Sequence, residues 1–96
     1  MQIEIITPES KIFKGEAVAV QFPGLDGSFQ VLNNHAAIIS GLSEGIVKVD
    51  LTDAFEMNED TNPLIEPDKS NAKVIRVSIK GGVMEMLNNK VIVLAE

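Results

Sequence analysis

The sequence predicts an all-β fold, an antiparallel β-sandwich or flattened barrel of about eight to ten short strands. Apolar and polar residues alternate in most segments, which is the periodicity of a strand with one buried face. Gly, Pro and Asn recur about every ten residues, where turns would join such strands. Aromatic residues make up only 4% of the 96 residues, so Ile, Val, Leu and Met must form the core. A chain of this length predicts one domain, residues 1–96.

The first two strands are predicted in segments 1–6 and 17–22. In the first segment Met1, Ile3 and Ile5 lie on one face, and Thr7-Pro8 ends the strand. In the second segment, strict alternation gives these inward residues: Val18, Val20 and Phe22. The same alternation turns the following residues outward: Ala17, Ala19 and Gln21.

Two turns and a further strand follow in a fixed order between residues 22 and 39. Pro23-Gly24 and Asp26-Gly27 are turn pairs, because Pro fixes φ and Gly permits positive φ. A strand is predicted at Ser28–Leu32, and Asn33-Asn34 ends it. The apolar run Ala36–Ile39 is too short for an amphipathic helix. This order of residues predicts a surface loop with a well-fixed backbone.

The C-terminal half continues the alternation of a β-sandwich. The inward residues predicted for its next two strands are Val47, Val49, Leu51, Ile75, Val77 and Ile79. Gly81-Gly82 predicts a sharp corner, and a strand follows at 83–87. Asn88-Asn89 suits the positive-φ positions of a two-residue hairpin turn. The chain then returns as the strand 90–95.

Residues 52–72 interrupt the pattern with an acidic excursion. They hold six of the 14 acidic residues, two prolines and no sustained period, which is typical of a long surface loop. A flexible insert and a folded lid both fit this segment. The other eight acids balance the eight Lys and Arg, so there is no basic stripe for nucleic acid. No segment approaches the ~20 apolar residues that a membrane helix needs.

Catalytic chemistry has little support in this composition. His35 is the only histidine and cysteine is absent, whereas zinc sites usually collect several such ligands. Serines 28, 40 and 43 surround His35 in sequence, but none of them lies in a nucleophile-elbow motif. A small enzyme centred on His35 and the acids of residues 53–68 is one alternative. His35 also fits a solvated turn position. We predict no catalytic, cofactor-binding or metal-binding residue.

A cofactor carrier is the second alternative. Small β domains that carry biotin or lipoyl groups present a lysine between small or methionine neighbours at a hairpin tip. Here Glu85 occupies that position between Met84 and Met86. A carboxylate cannot form the amide link to the cofactor, so the sequence disfavours this function.

The final hairpin is apolar on both faces. Val91, Val93 and Ala95 lie on one face of the last strand, and Ile92 and Leu94 lie on the other. An antiparallel sheet with a solvated outer face normally shows polar residues there. The outer face is therefore covered either by another part of this chain or by another subunit.

Short motifs in a fixed order extend over nearly the whole chain outside the acidic excursion. They are Thr7-Pro8 with Phe13 and Gly15, Val18-x-Val20-x-x-Pro-Gly24-x-x-Gly27, Val31-Leu32-x-x-His35-Ala36, Gly45, Gly81-Gly82-x-x-Glu85 and Asn89-x-Val91-x-Val93-Leu94-Ala95. Together these motifs resemble the N-terminal β-sandwich domain of the epsilon subunit of F-type ATP synthases. Family members usually carry Pro where this chain has Ala37, and often Pro near Asn33.

The resemblance implies a non-catalytic rotor subunit of the central stalk, without a cofactor or a membrane span of its own. Such a subunit couples the gamma subunit to the c-ring at the cytoplasmic face of the bacterial inner membrane. Ring contacts are expected at Gly27, Ser28, Asn33, Asn34 and His35, whose short polar groups suit polar loops. Gamma contacts are expected at Met84, Met86, Val93 and Ala95.

Typical bacterial members continue past this region into two helices that can inhibit ATP hydrolysis. This sequence stops at Glu96. If 96 residues is the natural length, the resemblance implies a short form that couples gamma to the ring without an inhibitory helix.

Overall fold

The computed structural model describes residues 1–96 and contains nine strands and no helix. The strands are β1 (Gln2–Ile6), β2 (Lys11–Gly24), β3 (Gly27–Leu32), β4 (Ile38–Leu42), β5 (Gly45–Leu51), β6 (Ile65–Pro67), β7 (Val74–Ile79), β8 (Gly82–Leu87) and β9 (Lys90–Ala95). The all-β prediction is confirmed. The chain therefore has no helix that is long and apolar enough to cross a membrane.

The strands form one continuous nine-stranded sheet in the order β1-β9-β8-β4-β2-β5-β7-β6, and β3 pairs with β2. Strand β2 is 14 residues long and also pairs with β1, so it belongs to both layers of the sandwich. One pair departs from the predicted antiparallel arrangement: β1 and β9 run parallel. This is possible because the two strands are distant in sequence and no tight turn has to join them.

The space between the layers holds a continuous apolar core of 21 buried residues. The chain has no buried polar or charged residue. Phe22 is fully buried in this core, and its ring centroid lies 5.3 Å from that of Phe29. The predicted inward faces of β1, β5 and β7 are confirmed by the burial of Ile3, Val47 and Val77 and of their same-face neighbours.

A β-bulge in β2 corrects the predicted orientation of Val18. The register between β2 and β5 shifts between Ala17 and Ala19, so Val18 is the extra residue on the bulged strand. Val18 is consequently 44% exposed, whereas Ala17 and Ala19 are buried. Alternation resumes as predicted at Val20, which is fully buried.

Local turn geometry agrees with the sequence at both glycine and asparagine pairs. Asn88 and Asn89 have φ of 51° and 58°, as a two-residue hairpin turn requires. Gly82 has φ of 146°, and a Cβ built on it would lie 2.2 Å from the carbonyl oxygen of Leu94. Only glycine fits this corner between β7 and β8.

The acidic segment 52–72 is more ordered than a simple loop. It contains β6, which pairs antiparallel with β7, and Ile65 of that strand joins the core. Phe55 packs beside Phe13 with ring centroids 6.2 Å apart. The segment is therefore held to the sandwich at two apolar points.

Candidate functional site

The structure brings no catalytic group to His35. The Nδ1 atom of His35 lies 2.7 Å from the carbonyl oxygen of its neighbour Ala36, and the residue is exposed. The Ser40 hydroxyl donates to the Gly41 carbonyl, and the Ser43 hydroxyl donates to the Pro23 carbonyl. No group of three or more His, Cys, Asp or Glu side chains is placed to hold a metal ion.

Glu85 does not occupy a carrier position either. It lies inside β8, where it is paired with Ile92 of β9 on one side and with Ile39 of β4 on the other. A carrier lysine would stand at the tip of a hairpin. The tip of this hairpin is instead the asparagine turn at residues 88–89.

The predicted ring contacts fall into two groups at opposite ends of β3. Gly27 and Ser28 begin the strand, and Asn33, Asn34 and His35 follow its last residue. Five residues of a strand span about 17 Å at ~3.3 Å per residue. Strand β3 pairs only with β2, so both groups lie along one open edge of the sheet.

At the far end of β3, the two asparagines have structural partners. The Oδ1 atom of Asn33 accepts a hydrogen bond from the terminal amine of Met1. The backbone N–H of Asn34, a residue with φ of 64°, donates to Oδ1 of Asn89 at 2.7 Å. These bonds tie the loop after β3 to the start of β1 and to the β8–β9 turn. The hydrogen bond recorded for the His35 side chain goes to the adjacent Ala36 carbonyl instead.

At the near end of β3, the hairpin tip is open. Gly27 has φ of 122°, and a Cβ added to it would meet no atom within 4 Å. Leu25 beside it is 69% exposed. A cleft of about 470 Å³ runs from this tip to β4 and includes Ser28 and Ser40 in its walls. Small polar groups and one apolar side chain therefore share this tip.

The predicted gamma contacts must be corrected. Met84, Met86 and Val93 are 0% exposed, and Ala95 is 4% exposed. All four belong to the core between the layers, so their side chains are not available to a partner. The sequence showed two apolar faces on these strands but not which of the two turns inward.

The opposite face of the same strands forms the candidate interface, which we call the apolar outer face. Its cross-strand rows are Glu4, Ile92, Glu85 and Ile39, and next to them Ile6, Leu94, Val83 and Gly41. A groove of about 530 Å³ runs over this face. No other part of the chain covers it, since Ile39 is 71% and Leu94 is 53% exposed.

Within these two rows the charged residues are two glutamates, and Lys90 follows in the next row, paired with Gln2 and Leu87. Glu4 is paired with Lys11, with 3.4 Å between Oε2 and Nζ. Glu85 is exposed and has no ion-pair partner. The two rows therefore present an apolar surface with one negative charge that has no ion-pair partner.

The outer surface of the other layer is more polar, although Leu32 and Ile46 are 54% and 51% exposed there. One row across β3, β2, β5, β7 and β6 consists of Gln30, Gln21, Lys48, Arg76 and Glu66. Polar residues on a solvated face are the normal pattern for an antiparallel sheet. The contrast between the layers identifies the apolar outer face as the unusual surface of this chain.

Comparison with known proteins identifies related chains. The family described as "ATP synthase, Delta/Epsilon chain, beta-sandwich domain" matches residues 1–57. The ATP synthase epsilon chain of Chlorobium limicola is 34% identical over 95 residues, covering 99% of this chain and 88% of that protein. That of Chlorobaculum tepidum is 36% identical, covering 98% of this chain and 86% of the relative. The chain spans only 62% of the Campylobacter lari epsilon chain, which is 38% identical.

Solved structures show the same fold at lower identity. A chain of the Euglena gracilis mitochondrial ATP synthase, OSCP/F1/c-ring, matches with a TM-score of 0.71 and 18% identity, covering 97% of this chain and 48% of that one. A chain of the Tetrahymena thermophila mitochondrial ATP synthase, central stalk/c-ring, matches with a TM-score of 0.65 and 16% identity, covering 99% of this chain and 62% of that one.

These matches decide between the alternatives left by the sequence. The relatives are epsilon chains, which are structural and regulatory chains and not catalysts. The enzyme and carrier alternatives are therefore rejected. The all-β sandwich, the matched residues 1–57 and the relatives over nearly the whole chain lead to one conclusion: this chain belongs to the family of ATP synthase delta/epsilon chains.

Proposed function

We propose that this chain is a rotor subunit of the central stalk of a proton-translocating F-type ATP synthase and couples the gamma subunit to the c-ring. The observation that carries the proposal is the apolar outer face in a chain of the epsilon family. A mechanical joint needs broad complementary contact and not a reactive group. The subunit would lie at the cytoplasmic face of the bacterial inner membrane, attached through the complex.

The gamma subunit is the proposed occupant of the apolar outer face. When a partner removes exposed apolar side chains from water, their burial lowers the free energy of the complex. Ile39 and Leu94 are the largest contributors by exposure. Because Glu85 has no ion pair within the chain, gamma should place a Lys or Arg opposite it.

The c-ring is the proposed partner of the β3 edge. Gly27 and Ser28 offer backbone and hydroxyl groups at the near end, and His35 offers an imidazole at the far end. Asn33 and Asn34 hold the far loop in shape through their bonds to Met1 and Asn89. Since the two ends lie about 17 Å apart, ring loops that contact both must run along the strand.

Co-purification tests this proposal. A tagged form of the whole chain, expressed in its own cells, should recover gamma and c-ring subunits. Leu94→Asp should reduce the recovery of gamma at least tenfold, because it places a charge in an apolar interface. Ser78→Asp is the matched control, since Ser78 is also an exposed strand residue but lies in the polar layer. Reproducible absence of gamma and ring subunits with the unaltered chain would refute the proposal.

A further inference from the structure

Strand β6 covers an edge of the sheet that the rest of the chain would leave open. It is the last strand in the sheet order and pairs only with β7. Its three residues come from the acidic segment 52–72. The strands on the other side of β7 belong to the body of the sandwich, so β6 is the only element on this edge.

Three kinds of contact hold β6 in place. Ile65 is 5% exposed and belongs to the core. After the strand, the Asp68 backbone N–H donates to the Val74 carbonyl at 2.9 Å. The Asp68 carboxylate accepts from Nη1 of Arg76 at 2.7 Å and from the Ser70 hydroxyl and backbone N–H, each at 3.0 Å.

Without β6, strand β7 would be a good pairing edge. The Asp68 bond shows that Val74 directs its carbonyl toward β6, and alternation then turns Arg76 and Ser78 the same way. A second copy could pair antiparallel about a two-fold axis at Val77. Ile75 would then face the partner's Ile79, Val77 would face its own copy, and Arg76 would face Ser78. Apolar residues match on the inner face, and no like charges oppose each other.

Strand β6 itself is a poor pairing edge. It is short and ends in Pro67, which has no N–H to donate. Short edge strands, prolines and charges are the features by which natural sheets avoid edge-to-edge association. Glu66 and the flanking acids of segment 52–72 add negative charge that two copies would bring together.

We propose that segment 52–72 is a built-in cover for β7 that prevents a second copy of this chain from pairing at that edge. The proposal does not depend on the rotor function, because it concerns the other layer of the sandwich. It assigns to the acidic segment the control of self-association of the free chain.

Removing the cover tests this inference. The Phe55 backbone N–H donates to the Ala72 carbonyl at 2.7 Å, so residues 56–71 can be replaced by an Asn-Gly turn while Phe55 keeps its place. Native mass spectrometry should find the 10.4 kDa parent as a monomer and the shortened variant as a dimer. Adding Ser78→Pro removes an edge N–H and should restore the monomer. A folded shortened variant that stays monomeric, or a dimer that survives Ser78→Pro, would overturn the proposal.

A milder variant decides the question if the shortened chain does not fold. Ile65→Thr keeps a β-branched side chain in the full-length protein but weakens the apolar anchor of β6. It should form a dimer at concentrations where the parent is monomeric, and the dimer should disappear when Ser78→Pro is added. Rapid hydrogen exchange of the Arg76 amide would show that β6 has been released. If this variant releases β6 and is still a monomer, the proposal is contradicted.

Discussion

The Oδ1 atom of Asp68 lies 2.7 Å from Nη1 of Arg76, across the junction between β6 and β7. The Arg76 guanidinium, followed by the backbone and hydroxyl groups of Ser70, holds the pKa of Asp68 well below its ordinary value near 3.8. These partners bond to the ionised carboxylate and stabilise it relative to the acid. The pair therefore contributes to stability only while Asp68 is ionised.

The first prediction is the pH dependence of this contribution. Because the folded-state pKa is lowered, the stabilisation is fully present above the unfolded pKa near 3.8 and is lost as pH falls below it. Asp68→Asn should lower the urea midpoint at pH 7 modestly, and the difference from the parent should shrink as pH falls below 3.8. Urea unfolding of both chains from pH 7 downward measures it. A difference that does not change with pH would contradict the assignment.

Salt provides a control on the same pair. Both side chains are partly exposed, and exposed ion pairs are screened by salt and contribute little. The difference between the parent and Asp68→Asn at pH 7 should fall in high salt. A difference that persists would point to the hydrogen bonds from Ser70 and not to the charge of Arg76.

The second prediction separates two asparagines in one turn. Asn88 and Asn89 both have positive φ, but only Asn89 accepts a hydrogen bond from Asn34. Asn88→Gly should leave stability unchanged or raise it slightly, because glycine tolerates this backbone. Asn89→Gly should cost about 0.5–1.5 kcal/mol for the lost bond. Equal effects in thermal unfolding would show that the bond to Asn34 contributes nothing.

The third prediction compares two glycines with positive φ. A Cβ at Gly82 would lie 2.2 Å from the Leu94 carbonyl oxygen, whereas a Cβ at Gly27 would meet nothing within 4 Å. Gly27→Ala should cost only backbone strain, about 1–2 kcal/mol. Gly82→Ala should cost clearly more, about 3 kcal/mol or above, because the β8–β9 pair must also separate. Denaturant unfolding tests the order, which the reverse result would contradict.

Local signals predicted some of the turns well, but the predicted turn at Pro23-Gly24 was wrong, since both residues lie inside β2 and pair with Ser28 and Gly27 of β3. Asn88-Asn89 and Gly81-Gly82 fix backbone angles through their own chemistry, so the turns they form could be inferred without the rest of the fold. Strands with one clearly polar face were also predicted correctly. In β5, for example, Val47 and Val49 turn inward because the charged side chains of Lys48 and Asp50 favour the solvated face.

Features that depend on pairing between distant strands could not be predicted in this way. The bulge at Val18 arises from the register between β2 and β5, which no local pattern encodes. Strand β6 is too short for a period to show, and its partner β7 defines it. In β8 both Met84 and Val83 are apolar, so only closure of the sandwich determines which one is buried.

The fourth prediction concerns His35. Its side chain is exposed and bonds only to the adjacent Ala36 carbonyl, so His35→Ala should change the free energy of unfolding by less than ~0.5 kcal/mol. The proposed ring contact predicts weaker co-purification of the c-ring with this variant. If the variant recovers the ring normally, the predicted ring contact at His35 is wrong, and the family assignment is unaffected.

The last prediction uses two neighbours that face opposite ways. Val93 is fully buried and Leu94 is 53% exposed. Val93→Ala should cost about 2 kcal/mol, because it leaves a cavity in the core, while Leu94→Ser should cost less than ~0.5 kcal/mol. Binding of purified gamma should show the reverse order, with a strong loss for Leu94→Ser and little for Val93→Ala in the folded state. If Leu94→Ser unfolds the chain as readily as Val93→Ala, the apolar outer face is structural and the gamma subunit must bind elsewhere.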